Sequence, residues 1–119
     1  MLDGDLITAR EHLFKALGDR TRLEIIEMLR EFGEMSVTDI QMKLGREQNL
    51  ISHHLSCLKN CGLVASRKDG KSAIYSIRDK RIIKLLTITD EHVRSLLESL
   101  LSCEIVKGKV VRMPLKVVK

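Results

Sequence analysis

Cys57 and Cys61 stand four residues apart in the run QNLISHHLSCLKNCGLV, between Gln48 and Val64. On a helix, an i,i+4 pair lies one side chain above the other. Two thiolates placed so can share one metal ion without distorting the backbone. The plainer alternative is packing, because buried free cysteine behaves as a small hydrophobe. Spacing alone leaves both open. Cys103 is the third cysteine, and an odd count argues for free thiols or metal ligands over a disulfide scaffold. A cysteine hydrolase using Cys57 with His53 or His54 is excluded: there is no nucleophile elbow, no orienting acid and no pocket-building segment.

The same run has a second chemistry. Ile51, Leu55 and Leu58 fall within about 60° of one another on a helical wheel and form a buried stripe. Asn49, Ser52, His53 and Ser56 lie off that stripe and are short hydrogen-bonding side chains suited to base edges in a major groove. Gln48, Asn49, Ser52 and His53 are the candidates for base edges or phosphates. His54 lies on the cysteine flank, where it either supports the fold as a partly buried ring or joins a metal site. Gly62 ends the helix.

The elements that position this helix follow from apolar periodicity and breakers. A first helix is expected over residues 6–17. Asp19 caps a second over 20–32, with Leu23, Ile25, Ile26 and Leu29 inward and Gly33 at its end. Ser36 caps a short third helix over 37–44, stopped by Gly45. Arg46 and Glu47 make a turn into the fourth helix, residues 48–61. A short helix, a tight turn and a longer helix is the helix-turn-helix layout. Strands over 63–68 and 72–77 follow, joined by an Asp69-Gly70 turn, and the hairpin carries Arg67, Lys68, Lys71 and Arg78. A basic hairpin directly after a recognition helix reads as a wing. Lys59, Arg67, Lys68, Lys71 and Arg46 are the expected phosphate contacts.

Two further helices are expected over 80–87 and 90–102, with Thr89 capping the restart. Their apolar residues, together with those of the first helix, exceed what one small domain covers and imply a homodimer. Expected architecture is therefore mainly α with a small β-hairpin wing: a winged helix-turn-helix over 1–103 with a helical dimer interface, then a basic tail over 104–119. The 119 residues suit one domain, and net charge +5 agrees with a double-stranded DNA partner. Neither a signal peptide nor an apolar run of membrane-spanning length is evident, so the expected location is cytoplasmic, with no membrane partner.

Three segments together resemble the ArsR/SmtB family of homodimeric winged-helix repressors, many of them metal-responsive: ALGDRTRL from Ala16, the ISHHLSCLKNCGLV run and the DGKSAIYSI hairpin. The resemblance spans roughly residues 6–101. It implies a DNA-binding repressor whose operator affinity falls when a metal or thiol site is engaged. The family's cysteine site on the third helix is absent here, since Ser36 and Thr38 hold those positions. Its site on the last helix is half present: Asp90 and His92 match, but Cys103 and Val106 stand where the other ligands would be. The cadmium/lead-sensing CmtR subgroup is the closer resemblance, through HLSCL-x-x-CGLV. By that resemblance Cys57, Cys61 and Cys103 are the metal ligands, the third supplied across the dimer in that subgroup. Three soft sulfurs suit Cd(II) or Pb(II), then As(III); Zn(II) is less well matched, as a fourth tetrahedral ligand is not evident. Other readings of the same residues are a redox- or persulfide-responsive repressor and a winged-helix module that senses nothing.

Overall fold

The computed structural model describes residues 2–101, so Cys103 and the tail over 104–119 lie outside the described residues. The elements in order are α1 (Leu2–Leu17), α2 (Arg20–Phe32), β1 (Met35–Ser36), α3 (Val37–Leu44), α4 (Gln48–Asn60), β2 (Val64–Asp69), β3 (Ser72–Ile77) and α5 (Lys80–Leu101). The chain divides into two compact units, Met1–Lys80 and Arg81–Lys119. Among the described residues no helix is long and apolar enough to cross a membrane.

The first unit is built on a mainly aliphatic core, with Thr21 and His54 buried beside it. Ile25 and Ile26 of α2, Ile40 of α3, and Ile51, Leu55 and Leu58 of α4 are fully buried, as are Leu63 and Val64 at the start of the wing. At about 1.5–3 kcal/mol for each large aliphatic side chain removed from water, this cluster dominates the folding of the unit. The helix ends are set locally. Asp19 caps α2 by accepting from the Arg22 N–H at 3.0 Å. Ser36 and Asp39 form a reciprocal capping box at the start of α3.

A strand absent from the sequence reading, β1, pairs antiparallel with β3, Met35 opposite Tyr75 and Ser36 opposite Ile74. The sheet order is β1-β3-β2. Two residues are too few for any periodicity to betray a strand; only the partner edge defines it. The first strand of the hairpin lies one residue later than expected, while the second is where the sequence placed it. β2 runs from Val64 to Asp69, and Asp69 pairs with Ser72. The loop is thus Gly70-Lys71, not Asp69-Gly70. Gly70 takes φ +65° and no non-glycine residue has positive φ among the described residues, the pattern of a type II′ turn.

Two helix boundaries also differ. α1 begins at Leu2. α5 is one continuous helix of 22 residues, not two. Thr89 is no cap: its hydroxyl donates to the Leu85 carbonyl at 2.8 Å, as that of Thr87 does to Ile83 at 2.9 Å. With no glycine or proline between Lys80 and Leu101, nothing interrupts the backbone ladder. On α1, Leu6, Ile7 and Phe14 are exposed, while Ala16 and Leu17 are buried. On α5, Ile88 and Leu96 are exposed. Leu23 of α2, expected inward, is exposed at 43%.

Candidate nucleic-acid interface and thiol flank

Gly45 makes the turn between α3 and α4. Its φ of +66° lets its own N–H and that of Arg46 reach the Gln41 carbonyl, at 2.8 and 3.3 Å. Arg46 then turns inward. It donates to Thr21 Oγ1 and to Glu24 Oε1, both at 2.8 Å, and fastens the turn to α2. Arg46, expected at DNA phosphates, is also bonded within the fold, to the buried Thr21 hydroxyl and the half-buried Glu24 carboxylate, and its side chain stays about one-third exposed.

The far side of α4 is held by a second arginine. Arg22 donates through Nε to the Ala16 carbonyl at 2.7 Å and through Nη2 to the Lys15 carbonyl at 3.2 Å. Its Nη1 stands 3.1 Å from His54 Nδ1. Because guanidinium can only donate, Nδ1 must accept, and the ring is the neutral Nε2–H tautomer. Burial, opposed by Asp19 and reinforced by the positive charge of Arg22, holds the His54 pKa below its usual value. Hydrogen bonding from the Arg22 backbone likewise lowers Asp19. The run Ala16 to Arg22 is therefore an elbow joining the end of α1, the start of α2 and the middle of α4. A Cβ at Gly18 would sit 3.1 Å from the Phe14 carbonyl oxygen, a tight contact at this elbow. Of the two readings of His54, the structure supports the buried ring that braces the helix. Asp19 and Arg22 were visible in the sequence only as a cap and as part of a family-like motif; their grip on His54 requires a contact 32 residues away.

Gln48, Asn49 and His53 are exposed on α4 and Ser52 is half-buried. Glu47 makes no side-chain cap, which leaves first-turn N–H groups of α4 without an internal side-chain partner. α4 ends in a Schellman motif: the Leu63 N–H donates to Leu58 at 2.9 Å and the Gly62 N–H to Lys59 at 3.0 Å, with Gly62 at φ +77°. This fixes the wing relative to the helix. Lys59 Nζ donates to Ser66 Oγ at 2.8 Å, tying the last turn of α4 to β2. Arg67 forks onto Glu34, its Nη2 2.7 Å from Oε1 and its Nε 3.1 Å from Oε2. That pairing lowers the Glu34 pKa and raises that of Arg67. Lys68 and Lys71 are exposed at the wing tip.

Cys57 and Cys61 are free thiols, the first half-buried and the second exposed. Cys61 is the C-cap of α4, and its N–H donates to the Cys57 carbonyl at 3.1 Å. Cys57 Sγ lies 4.0 Å from His53 Nε2. Cys103 is outside the described residues. Asp90 is half-buried and His92 exposed, both on α5. Among the described residues no cluster of three or more His, Cys, Asp or Glu side chains is preformed for a metal.

A short helix, a glycine turn, an exposed polar helix and a basic antiparallel hairpin define a winged helix-turn-helix DNA-binding protein. The sequence profile of the bacterial regulatory protein arsR family matches residues 19–66. An uncharacterized HTH-type transcriptional regulator of Methanocaldococcus jannaschii is 44% identical over 79 residues, 66% of this chain and 89% of that protein. The cadmium resistance transcriptional regulatory protein CadC homolog of Staphylococcus aureus is 38% identical over 82 residues, 69% and 68% of the two chains. Among solved structures, the homodimeric winged helix-turn-helix DNA-binding domain of a possible ArsR-family regulator from Mycobacterium bovis superposes with a TM-score of 0.75. Its identity is 28%, covering 82% of this chain and 89% of that one. The chain belongs to the ArsR family: it is a DNA-binding transcriptional regulator, not an enzyme.

Proposed function

We propose that the protein is a metal-responsive repressor. A homodimer holds two α4 helices about 34 Å apart, one turn of DNA, and occupies a palindromic operator. Gln48, Asn49, Ser52 and His53 read bases or phosphates, while Arg46, Lys59, Arg67, Lys68 and Lys71 engage phosphates. Cd(II) or Pb(II) is the inducer, with Cys57, Cys61 and Cys103 as ligands. The relation to a cadmium resistance regulator supports that choice. As(III) fits the same sulfurs less closely than these two.

The observation that carries the reading is the placement of two free thiols four residues apart, Cys57 on α4 and Cys61 at its C-cap. A soft ion bound there is held by the same rod that reads the operator. Coupling of about 1–3 kcal/mol between the two sites is enough to change occupancy severalfold to a hundredfold. Binding displaces thiol protons, so metal affinity rises with pH.

The test is an anaerobic cadmium titration of the reduced protein, following ultraviolet thiolate-to-metal absorbance, with Cys103→Ser in parallel. Saturation at one ion per protomer, diminished by the substitution, is the expected result. If absorbance does not change, the metal reading falls and the thiols are packing or redox groups. Thiol titration after peroxide or polysulfide then separates those two.

A further inference from the structure

Each arm of the Arg22 guanidinium has its own partner. Nε and Nη2 donate to the Ala16 and Lys15 carbonyls, at 2.7 and 3.2 Å, and Nη1 stands 3.1 Å from His54 Nδ1. Those carbonyls lie in the last turn of α1, where helical carbonyls lack partners along the helix. The positive charge also meets the negative end of the α1 dipole. His54 lies in the middle of α4 and is buried. One side chain of α2 thus joins the helix that carries the exposed Leu6, Ile7 and Phe14 to the helix that carries Asn49, Ser52 and His53.

We infer that Arg22 is a positioning residue for DNA recognition: its bond to His54 sets the rotation of α4 about its own axis, and its bonds to α1 set where that helix stands relative to α4. The burial of Ile51, Leu55 and Leu58 cannot do this alone, because apolar burial has no direction. A hydrogen bond is directional and tolerates only a few tenths of an ångström. A turn of about 10° carries a side-chain tip some 5–6 Å from the helix axis through roughly 1 Å. That is enough to lose a bond to a base edge while the aliphatic core stays closed. Lysine keeps the charge of Arg22 but has no planar fork to hold acceptors on two helices at once.

In a homodimer whose copies meet through α1, the same joint fixes the half-site spacing that two α4 helices accept. This second part rests on the homodimer proposed above; the rotation of α4 does not.

The test uses the full-length, reduced protein without metal. Its probes are a duplex selected by wild type from a random pool and a scrambled duplex of the same length. Arg22→Lys, His54→Leu, His54→Gln and the double variant Arg22→Lys/His54→Leu are compared by fluorescence anisotropy, each with its melting temperature and sedimentation. All keep the charge that the protein has with a neutral His54, so affinity for scrambled DNA is expected to stay at the wild-type level. Arg22→Lys and His54→Leu are each expected to lower affinity for the selected duplex about tenfold, the loss of one good base contact. The double variant is expected to be no weaker than Arg22→Lys alone, since both act through one bond. His54→Gln, whose carbonyl still accepts from Arg22, is expected to recover most of the affinity. A selection repeated with Arg22→Lys is expected to return half-sites at a broader range of spacings.

Equal losses on both duplexes, additive losses in the double variant, or a His54→Gln as weak as His54→Leu overturn the inference and leave Arg22 a stabilising residue. An unchanged range of spacings overturns the part that runs through α1. A monomeric wild type overturns the homodimer and the spacing together, but not the rotation of α4, which the ratio of the two affinities reads. A wild type that prefers no sequence overturns the base-reading role of α4 and this inference with it.

Discussion

His54 shows how one buried ring can tie stability to pH. Burial first, then its cationic neighbours, hold its pKa below the ordinary 6.5, against the opposing pull of Asp19. The folded protein keeps the ring neutral, so the unfolded chain binds an extra proton between the folded value and 6.5. The stability tied to this group is therefore whole above that range. It is lost as pH falls through the range, and levels off below the folded value. Asp19, lowered from 3.8, contributes in the ordinary carboxylate sense, its share being lost only in stronger acid. Urea midpoints measured between about pH 7.5 and 5 should fall for wild type and fall less steeply for His54→Gln, whose carbonyl can still accept from Arg22. Equal slopes would mean that His54 is not the titrating group.

Among the elements, α4 and the wing behave as one piece because the helix stops where the strand begins. Gly62 has open space around a notional Cβ but a φ of +77°. Gly62→Ala should therefore destabilise through backbone strain alone, by about 1–2 kcal/mol, read from denaturant unfolding; a neutral result would show that the cap relaxes. The wing carries two kinds of cation. Lys68 is exposed, whereas Arg67 is occupied by Glu34. Lys68→Ala should weaken binding to all DNA sequences alike and reduce the log K against log salt slope by about 0.9. Glu34→Gln frees Arg67 and should raise affinity and steepen that slope. A change of sequence preference in either variant would remove these residues from the phosphate set. Arg46 is predicted to act on stability through α2, so its loss should lower the unfolding midpoint along with operator affinity.

For the whole molecule, the exposed apolar residues set the expectation of a dimer. Leu6, Ile7 and Phe14 on α1, and Ile88 and Leu96 on α5, present large side chains to solvent in the single chain. The solved relative from Mycobacterium bovis is homodimeric. If these side chains are buried between copies, Phe14→Asp should shift sedimentation toward monomer and reduce operator affinity far more than it alters helix content. A melting temperature that rises with protein concentration in wild type, and not in the variant, would show the same linkage. A monomeric wild type would refute the homodimer and the palindromic operator together.

Much of this protein was legible in its residues, because the decisive signals are local. Asp19 and Gly33, and Ser36 and Gly45, mark the ends of α2 and α3 by cap chemistry that operates within a few residues. The i,i+4 thiols and the polar side of α4 follow from helical period alone. What stayed hidden depends on partners distant in the chain. β1 is a strand only because Tyr75 and Ile74 lie opposite it. Arg46 and Arg67 look alike as surface cations, until Thr21, Glu24 and Glu34 are brought to them by the packing of α2 and β1. The continuity of α5 was obscured by treating Thr89 as a cap, when a helical threonine satisfies its hydroxyl on the preceding turn. The residue types and their spacing thus determined which groups can do chemistry. Tertiary structure decided which of them have partners within the fold, because donors such as Arg46 and Arg67 meet acceptors that lie far away in the sequence.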